Sequence, residues 1–493
     1  MATHGSHSSR GFRFSRMCRK GKQLDPETIK WLAENMVTGS ARKPSPIPAG
    51  FTYLGQFIAH DLTFDRTLGV ELGERVSPAE LLLGRSPLLD LDSLYGAGPH
   101  RSARFYEPDA LHLRMGRTVG ADRIRAKDGF DLPRGPDTRI ALIPDERNDD
   151  NLAVAQTHLA FIRFHNRVVD SLSRSVPEAV RFARARELVT KHYQWIIRTD
   201  YLPRICEASV VDDVFANGRK LFEPRARPTT MPTMPLEFSI GAFRLGHSMV
   251  RRSYSWNSRR DDNSVTLALL FRHSAKGGDL GGRDRLASTM IADFRRLYDF
   301  HEVGRPDLHL TVDERKFNRA MRIDTSLVAP LKNLPAGAFG GPEVPADDPA
   351  ANLAFRNLTR ATMVELATGQ DMVTLLAKRG VAVTPLEPDQ IATGPEGRRL
   401  AGFRSKRQEA LATDTPLWFY VLREAELNEG RLTGVGARIV AEMFHRAMEA
   451  SRASIVRDRA WRPTLGPGED TFRMVDLLLF ASREKRAVLA PLG

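Results

Sequence analysis

The segment NLAVAQTHLAFIRFHNRVVDSL at 151–172 places Leu152, Ala155, Leu159, Ile162 and Val169 at three- and four-residue steps. That spacing lines one face of an α-helix with apolar side chains, and such a face must be covered by another element. A second run, EAVRFARARELVTKHYQWIIRTDYLPRIC at 178–206, predicts another long helix ending around Tyr201, before Pro203. PLWFYVLREAELNEGRL and VGARIVAEMFHRAMEASRASI predict two more helices late in the chain. Strands do not alternate with helices, and there is no internal repeat or heptad run. The expected fold class is therefore mainly α, with little sheet and long Pro- and Gly-rich loops at 223–235, 339–350 and 384–397.

The length of 493 residues suits about three domains at roughly 150 residues each, or one large helical enzyme domain. A hydrophobic share of 42% is ample for a large core and excludes wholesale disorder. The net charge of +13 raises nucleic acid, a membrane surface or an anionic substrate as partners. Two cysteines, Cys18 and Cys206, exclude a disulfide framework and an all-cysteine zinc cluster. The first residues lack the apolar core of a signal peptide, and the apolar block from Met474 is broken by Asp476, well short of a membrane span. The expectation is a cytoplasmic protein, or one exported by a non-classical route. Residues 1–45 are expected to be a flexible extension, with KPSPIPAG (43–50) a stiff lead-in to a domain over 46–493.

Several short segments carry candidate chemistry. FTYLGQFIAHDLTFD (51–65) sets Gln56 and His60 four residues apart, on one helical face, with Asp61 about 100° round the helix. RSPLLDLDSLYG (85–96) offers Ser86, Asp90 and Asp92, oxygen donors in a turn-prone run that suits a hard cation such as Ca2+. In PDERNDDNL (144–152), acids at a helix start suit the macrodipole but leave Arg147 unexplained. AFRLGHSMV (242–250) holds His247 in an apolar run, three residues after Arg244, and FRNLTRA (355–361) sets Asn357 and Arg360 one turn apart. Taken alone, they read more readily as ordinary structure: a core histidine, an acidic turn, a polar helix face.

Taken together and in order, these segments resemble the animal-type haem peroxidases of the peroxidase–cyclooxygenase superfamily, its bacterial members in particular. GQFIAHDLTF is similar to the family's distal-histidine segment and LLDLDSLYG to its calcium loop. DERNDDNL resembles the catalytic-arginine segment, FRLGH the proximal-histidine segment and RNLTR the segment of the proximal asparagine. YVLREAEL and VGARIVAE extend the likeness, which spans about Phe51 to Ala450.

The resemblance implies a single mainly α haem-peroxidase domain that binds haem b and Ca2+. His247 is then the proximal iron ligand and Asn357 the acceptor of its second N–H. His60 is implied as distal acid–base, Arg147 as the fixed charge at the peroxide, and Gln56 as holder of distal water or an anionic substrate. Arg244 and Arg360 match positions near the haem propionates. Asp61, Ser86, the Leu88 carbonyl, Asp90 and Asp92 match the calcium ligands, with Asp92 where family members often carry Ser or Thr. The implied reaction reduces hydrogen peroxide and oxidises a small donor through a ferryl haem, a chemistry that also fits a response to oxidative stress.

Departures from the family pattern matter too. Mammalian members form two haem esters; here the first position is Ala59, which excludes that link, and the second is Asp150, which leaves one ester open. A methionine that forms a sulfonium bond in one mammalian member corresponds to Asn151. Haem distortion and oxidising potential are therefore expected to be lower, which disfavours chloride and leaves bromide, iodide, thiocyanate or phenolics. The fatty-acid dioxygenases of the superfamily carry a radical tyrosine three residues before the proximal histidine, where this chain has Arg244; Tyr254 follows His247 by seven. Such a dioxygenase stays as a disfavoured alternative, and a non-catalytic basic binding protein is a second one. No nucleic-acid motif supports it, and the pairs Arg251–Arg252 and Arg259–Arg260 read as solvated faces. His158 and His165 share a helix face and read as packing or network residues. His445 falls on a late helix, and Met363, Met372 and Met443 read as core filler. Oligomeric state is open.

Overall fold

The computed structural model describes residues 12–492 apart from 39–41, 68, 121–128, 137, 312, 314, 336–337, 339–343, 346, 395–399 and 401–404. The expected loops at 339–350 and 384–397 are thus only partly within the described residues, and His4 and His7 lie outside them.

Helices dominate. Helix α1 (Pro26–Met36) starts where the Asp25 side chain accepts the Thr28 N–H. Helix α2 (Gly50–Leu62) is buried almost all round; of its thirteen residues only Gln56 and Ala59 are partly exposed. A helix buried on every side is a core helix, and Gln56 and Ala59 mark the place where this core opens. Helix α3 (Leu152–Ser171) starts at Asn151, whose side chain accepts the N–H groups of Ala153 and Val154. It packs on α2 through the stacked rings of Phe57 and Phe161, 4.5 Å apart. Helix α4 (Glu178–Ile196) joins them through Tyr193, whose ring meets Phe57 edge-on.

The run 178–206 is not one continuous helix. After Ile196 it widens into a π turn at Ile197–Tyr201 and then makes one α turn at Leu202–Ile205. Pro203 has no N–H to give an α-helical ladder, so the chain reaches it through a different hydrogen-bond pattern. A second π turn, Glu237–Gly241, precedes His247, which sits on the single turn Gly246–Met249 and not on a long helix. Helices α5 (Leu353–Met363), α6 (Leu417–Leu427) and α7 (Gly434–Ala450) complete the core, with Phe444 of α7 edge-on to Phe238 and Phe243. The Met474–Ala481 block is a short helix that packs against α3 through Phe164 and Phe480.

Sheet is confined to small pieces. Phe12–Ser15 lies between Leu82–Leu83, antiparallel, and Met234–Pro235, parallel. Pro44–Pro48 pairs antiparallel with Arg319–Met321, in a two-stranded ribbon where a proline N–H is not missed. The reading of 1–45 as an extension fails from Phe12 onward. Leu24, Ile29, Leu32, Ala33 and Met36 are buried in the main core, because α1 presents its apolar stripe to α5. That stripe is a tertiary fact, invisible beside the polar composition of the first residues. Of the basic pairs, Arg251 is also turned inward, donating to the Arg319 carbonyl at 2.7 Å, while Arg252, Arg259 and Arg260 are exposed.

Candidate active site

The 3-10 turn Glu146–Asp149 opens at Asp145, whose carboxylate accepts the Arg147 N–H at 3.1 Å. This turn aims consecutive side chains at two neighbouring tasks. Arg147 grips both oxygens of Asp145, through Nε at 2.9 Å and Nη2 at 2.7 Å. The same Nη2 donates to the His60 carbonyl at 2.9 Å, and Nη1 has no partner among the described residues. Arg85 also donates to Asp145 Oδ2, at 2.6 Å. Burial by itself raises the Asp145 carboxyl, but Arg147 and Arg85 outweigh it and hold it below the usual carboxylate range.

Asn148, the next residue, faces His60. Its Oδ1 lies 2.9 Å from His60 Nδ1, and its Nδ2 lies 2.9 Å from Nδ1 of His158 on α3. An amide has one accepting and one donating end, so this chain of bonds sets both tautomers. With Asn148 Oδ1 toward His60, His60 carries its proton on Nδ1 and keeps a lone pair on Nε2; His158 then carries its proton on Nε2, which is buried without a partner among the described residues. Burial, and next the Arg147 charge, push His60 down to about 3, so the ring is neutral at ordinary pH. Burial likewise pushes His158 to about 3. Gln56, one turn before His60, accepts from Asn151 Nδ2 at 3.0 Å through Oε1, while its buried Nε2 has no partner. Asp150 is buried with no side-chain hydrogen bond among the described residues, and burial raises it to about 7.

The His247 side is built differently. Nδ1 of His247 lies 2.7 Å from the Asn357 amide, which presents Nδ2. A half-turn of that amide brings Oδ1 to the ring, so that Nδ1–H donates and Nε2 keeps its lone pair for a metal. A side chain on Gly246 would meet nothing within 4 Å, so open space adjoins His247. Burial and then Arg244 push the ring to about 3. Among the described residues Arg244 donates only to the Ser239 carbonyl, at 3.0 Å, and burial with the charges of Arg360 and Arg147 lowers it to about 10. Arg356, lowered to about 10 by burial and Arg360, donates to the Ala338 and Ala350 carbonyls. Among the described residues no carboxylate pairs with Arg244, Arg356 or Arg360. Interior guanidinium groups that repel one another and lack counter-ions fit the propionates of a haem. The open space at Gly246 and the unpartnered Gln56 amide fit the same group.

The acidic loop is built around the Asp61 carboxylate. The Asp61 carboxylate accepts from the Leu91 N–H at 3.2 Å, the Ser93 N–H at 3.1 Å and the Ser93 hydroxyl at 3.0 Å, and so caps the turn Asp92–Tyr95. Leu91 takes a left-handed conformation, φ 58°, to offer its N–H this way. Asp92 is held by Arg186 at 3.2 Å, and the same guanidinium reaches the Asp90 carbonyl. Ser86 Oγ is buried without a partner, and Leu88 and Asp90 are buried beside it in sequence. Burial and the Asp92 charge raise Asp61 to about 7, the behaviour of a carboxylate short of a cation. Among the described residues, however, no three acidic, histidine or cysteine side chains converge as a metal-binding group.

Sequence reasoning missed Asn148, Asp145, Arg85 and the role of His158. Asp145 stands two residues before Arg147, where its acid reads as helix-start composition; Arg85 lies 60 residues away and gives no local signal.

Comparison with known proteins follows the same lines. The family model described as animal haem peroxidase matches residues 44–305, more than half of the 493 residues. That range holds Gln56, His60, Arg147, Arg244 and His247, while Asn357 and Arg360 lie beyond it. The chain is 28% identical over 175 residues to a peroxidase-like protein of Margaritifera margaritifera, covering 34% of this chain and 22% of that protein. It is 28% identical over 189 residues to the thyroid peroxidase of Mus musculus, covering 35% and 20%. It thus spans about a fifth of the length of these curated relatives. Peroxidase A from Dictyostelium discoideum has a similar structure, with a TM-score of 0.63 at 13% identity over 97% of this chain and 94% of that one. A fatty acid alpha-dioxygenase of Arabidopsis thaliana has a TM-score of 0.58 at 13% identity over 98% and 77%. At these identities the likeness is one of fold.

Proposed function

The chain belongs to the animal haem peroxidase family, and from that premise we propose that it binds haem b between His60 and His247 and reduces hydrogen peroxide with electrons from a small donor. The reading is carried by one observation: a buried, neutral His60 whose Nδ1–H is fixed on Asn148, with Arg147 bonded to the carbonyl of that same residue.

Haem, when bound, supplies the iron at which peroxide is cleaved and the oxidising equivalents that cleavage releases. His247 Nε2 would hold the iron, with Asn357 Oδ1 accepting the Nδ1–H and making the ring a better donor. Arg244 and Arg360 would pair with the propionates. His60 Nε2 takes a proton from the bound peroxide and returns it to the departing oxygen. Asn148 stops the ring from turning while the proton is held. Arg147, with Nε and Nη2 tied to Asp145, leaves Nη1 for the negative charge that develops as the O–O bond breaks. Over a full cycle, peroxide takes up two electrons and two protons and leaves as two waters.

The donor is proposed to be a phenolic, bromide, iodide or thiocyanate. Ala59 and Asn151 remove two covalent haem links, so efficient chlorination at neutral pH is not expected and would overturn this part. A fatty-acid dioxygenase reading is disfavoured because Arg244, a guanidinium, stands where an oxidisable phenol is needed. Asp150 is proposed as the site of a single ester; its buried carboxyl, raised to about 7 and without a hydrogen-bond partner, supports that. Mass spectrometry of the denatured protein reads the link as retained haem. For Ca2+, the unpartnered Ser86 hydroxyl and the raised Asp61 support binding at Asp61, Ser86, Leu88, Asp90 and Asp92, with Arg186 displaced from Asp92. A melting temperature that does not move between added Ca2+ and chelator would overturn it.

The central test is reconstitution with haem, followed by the Soret spectrum and peroxide turnover in wild type, His60→Ala and His247→Ala. His247→Ala is expected to lose the haem spectrum, and His60→Ala to keep the spectrum and lose turnover. Haem retained in the first, or turnover in the second, refutes the assigned roles.

A further inference from the structure

Away from the peroxide site, a cavity of about 480 Å3 opens where α4 ends. Trp195 and Phe215 wall it, with Arg198, Arg459, Arg462, Asp212 and Asp470 around them. Arg198 lies on the π turn Ile197–Tyr201, the kind of helix irregularity that re-aims side chains and recurs at functional sites. Arg462 is spent on Asp470 at 2.7 Å, and its guanidinium lies 5.9 Å from the Trp195 ring. Arg198 lies 5.0 Å from the Phe215 ring. Neither the Arg198 nor the Arg459 guanidinium has an ion pair or hydrogen bond among the described residues. Trp195 is 8% exposed, and its buried indole N–H has no acceptor. Burial pushes the Arg198 guanidinium down from its ordinary value, and the Asp212 charge offsets that only in part, with Arg462 and Arg459 adding to the lowering.

We propose that this cavity binds a small aromatic monocarboxylate. Its volume falls within the range of roughly 300–1,000 Å3 typical of small-molecule sites. Three guanidinium groups face two carboxylates, so one negative charge neutralises the lining, and a second would be repelled by Asp212 and Asp470. The planar guanidinium fork matches a carboxylate, and the unpartnered indole N–H can donate to one of its oxygens. Trp195 and Phe215 suit a flat ring, which inorganic phosphate lacks. This inference does not rest on peroxide chemistry; it concerns a separate binding event.

The test is calorimetric titration of the haem-loaded protein with 4-hydroxybenzoate, phenol and inorganic phosphate. Saturable binding of one equivalent of 4-hydroxybenzoate is expected, with phenol and phosphate at least tenfold weaker. Arg198→Ala and Arg459→Ala should each weaken 4-hydroxybenzoate about tenfold, and Trp195→Phe less. Arg459 is exposed at the surface, so its replacement leaves the fold intact even if Arg198→Ala does not. The idea is overturned by no saturable binding, by phosphate or phenol binding as tightly, or by affinity that Arg459→Ala and Arg198→Ala leave unchanged.

Discussion

The two histidines of the candidate site, His60 and His247, sit in halves of opposite character. Around His60 the protein supplies most of its own partners: Asn148 links the ring to His158, and Asp145 bridges Arg147 and Arg85, while Gln56 Nε2, His158 Nε2 and Arg85 Nε stay unpartnered among the described residues. Around His247 it stops short. The Asn357 amide meets the ring and Trp418 lies edge-on to it at 6.3 Å, open space adjoins Gly246, and Arg244 and Arg360 have no counter-ion among the described residues. The contrast teaches that the His60 side is largely pre-organised by its own side chains, while the His247 side keeps cations with no carboxylate partner among the described residues. Pre-organised donors need no rearrangement when charge develops. Cations without partners instead store a cost that a ligand relieves.

The contrast breaks most visibly at Asp145. Asp145→Ala strands two largely buried guanidinium groups, and losing one member of such a cluster costs about 3–5 kcal/mol. A urea midpoint in the haem-free protein close to wild type would mean that the cluster is not the distal anchor. The proximal side predicts the reverse. Arg360→Leu should leave the haem-free protein unchanged or slightly more stable, while haem affinity falls about tenfold or more, as for loss of a charged hydrogen bond worth about 1.5–3 kcal/mol. If haem-free stability drops as it does for Asp145→Ala, the two halves are not different in kind.

Asn148→Leu sharpens the comparison within the distal half. It removes both ring bonds and leaves His158 Nδ1 without a donor, at a cost of about 1–3 kcal/mol for a buried polar group. Haem content should hold while the rate with peroxide falls; an unchanged rate in stopped-flow mixing would remove Asn148 from the mechanism. The smallest effect near neutrality is expected outside both halves, at His192. Its Nδ1 bonds the Leu188 carbonyl, and its Nε2 accepts from the Thr464 and Leu465 N–H groups. Burial pushes it to about 4. The unfolded chain therefore binds the extra proton first as pH falls. This stabilisation is complete above about pH 6.5 and is lost as pH drops toward 4. Denaturation curves across that window should be steeper for wild type than for His192→Gln; identical slopes would mean that the bond pattern at Nε2 carries no weight.

Much of the candidate site was legible in the residues themselves. The four-residue step from Gln56 to His60 set both on one face, and the helical period at 151–172 and the late helices appeared close to where they were expected, because side-chain spacing and helix geometry are local. The likeness of several ordered motifs to one family added His247 and Asn357. What stayed hidden depends on contacts between distant segments. Arg85 meets Asp145 across 60 residues, and His158 reaches the site only because α3 stacks on α2. The burial of α1 from Pro26 onward, against α5, ran counter to its polar neighbourhood.

The net charge of +13 shows the division best. By itself the sequence determined that positive charge exceeds negative and that helices dominate. It could not say which arginines are spent and which are free. That was decided by tertiary structure, because the worth of a charge depends on what lies within a few ångströms and how much water remains. Arg147 is spent on Asp145, whereas Arg244 and Arg360 near His247, and Arg198 and Arg459 at the end of α4, have no carboxylate partner among the described residues.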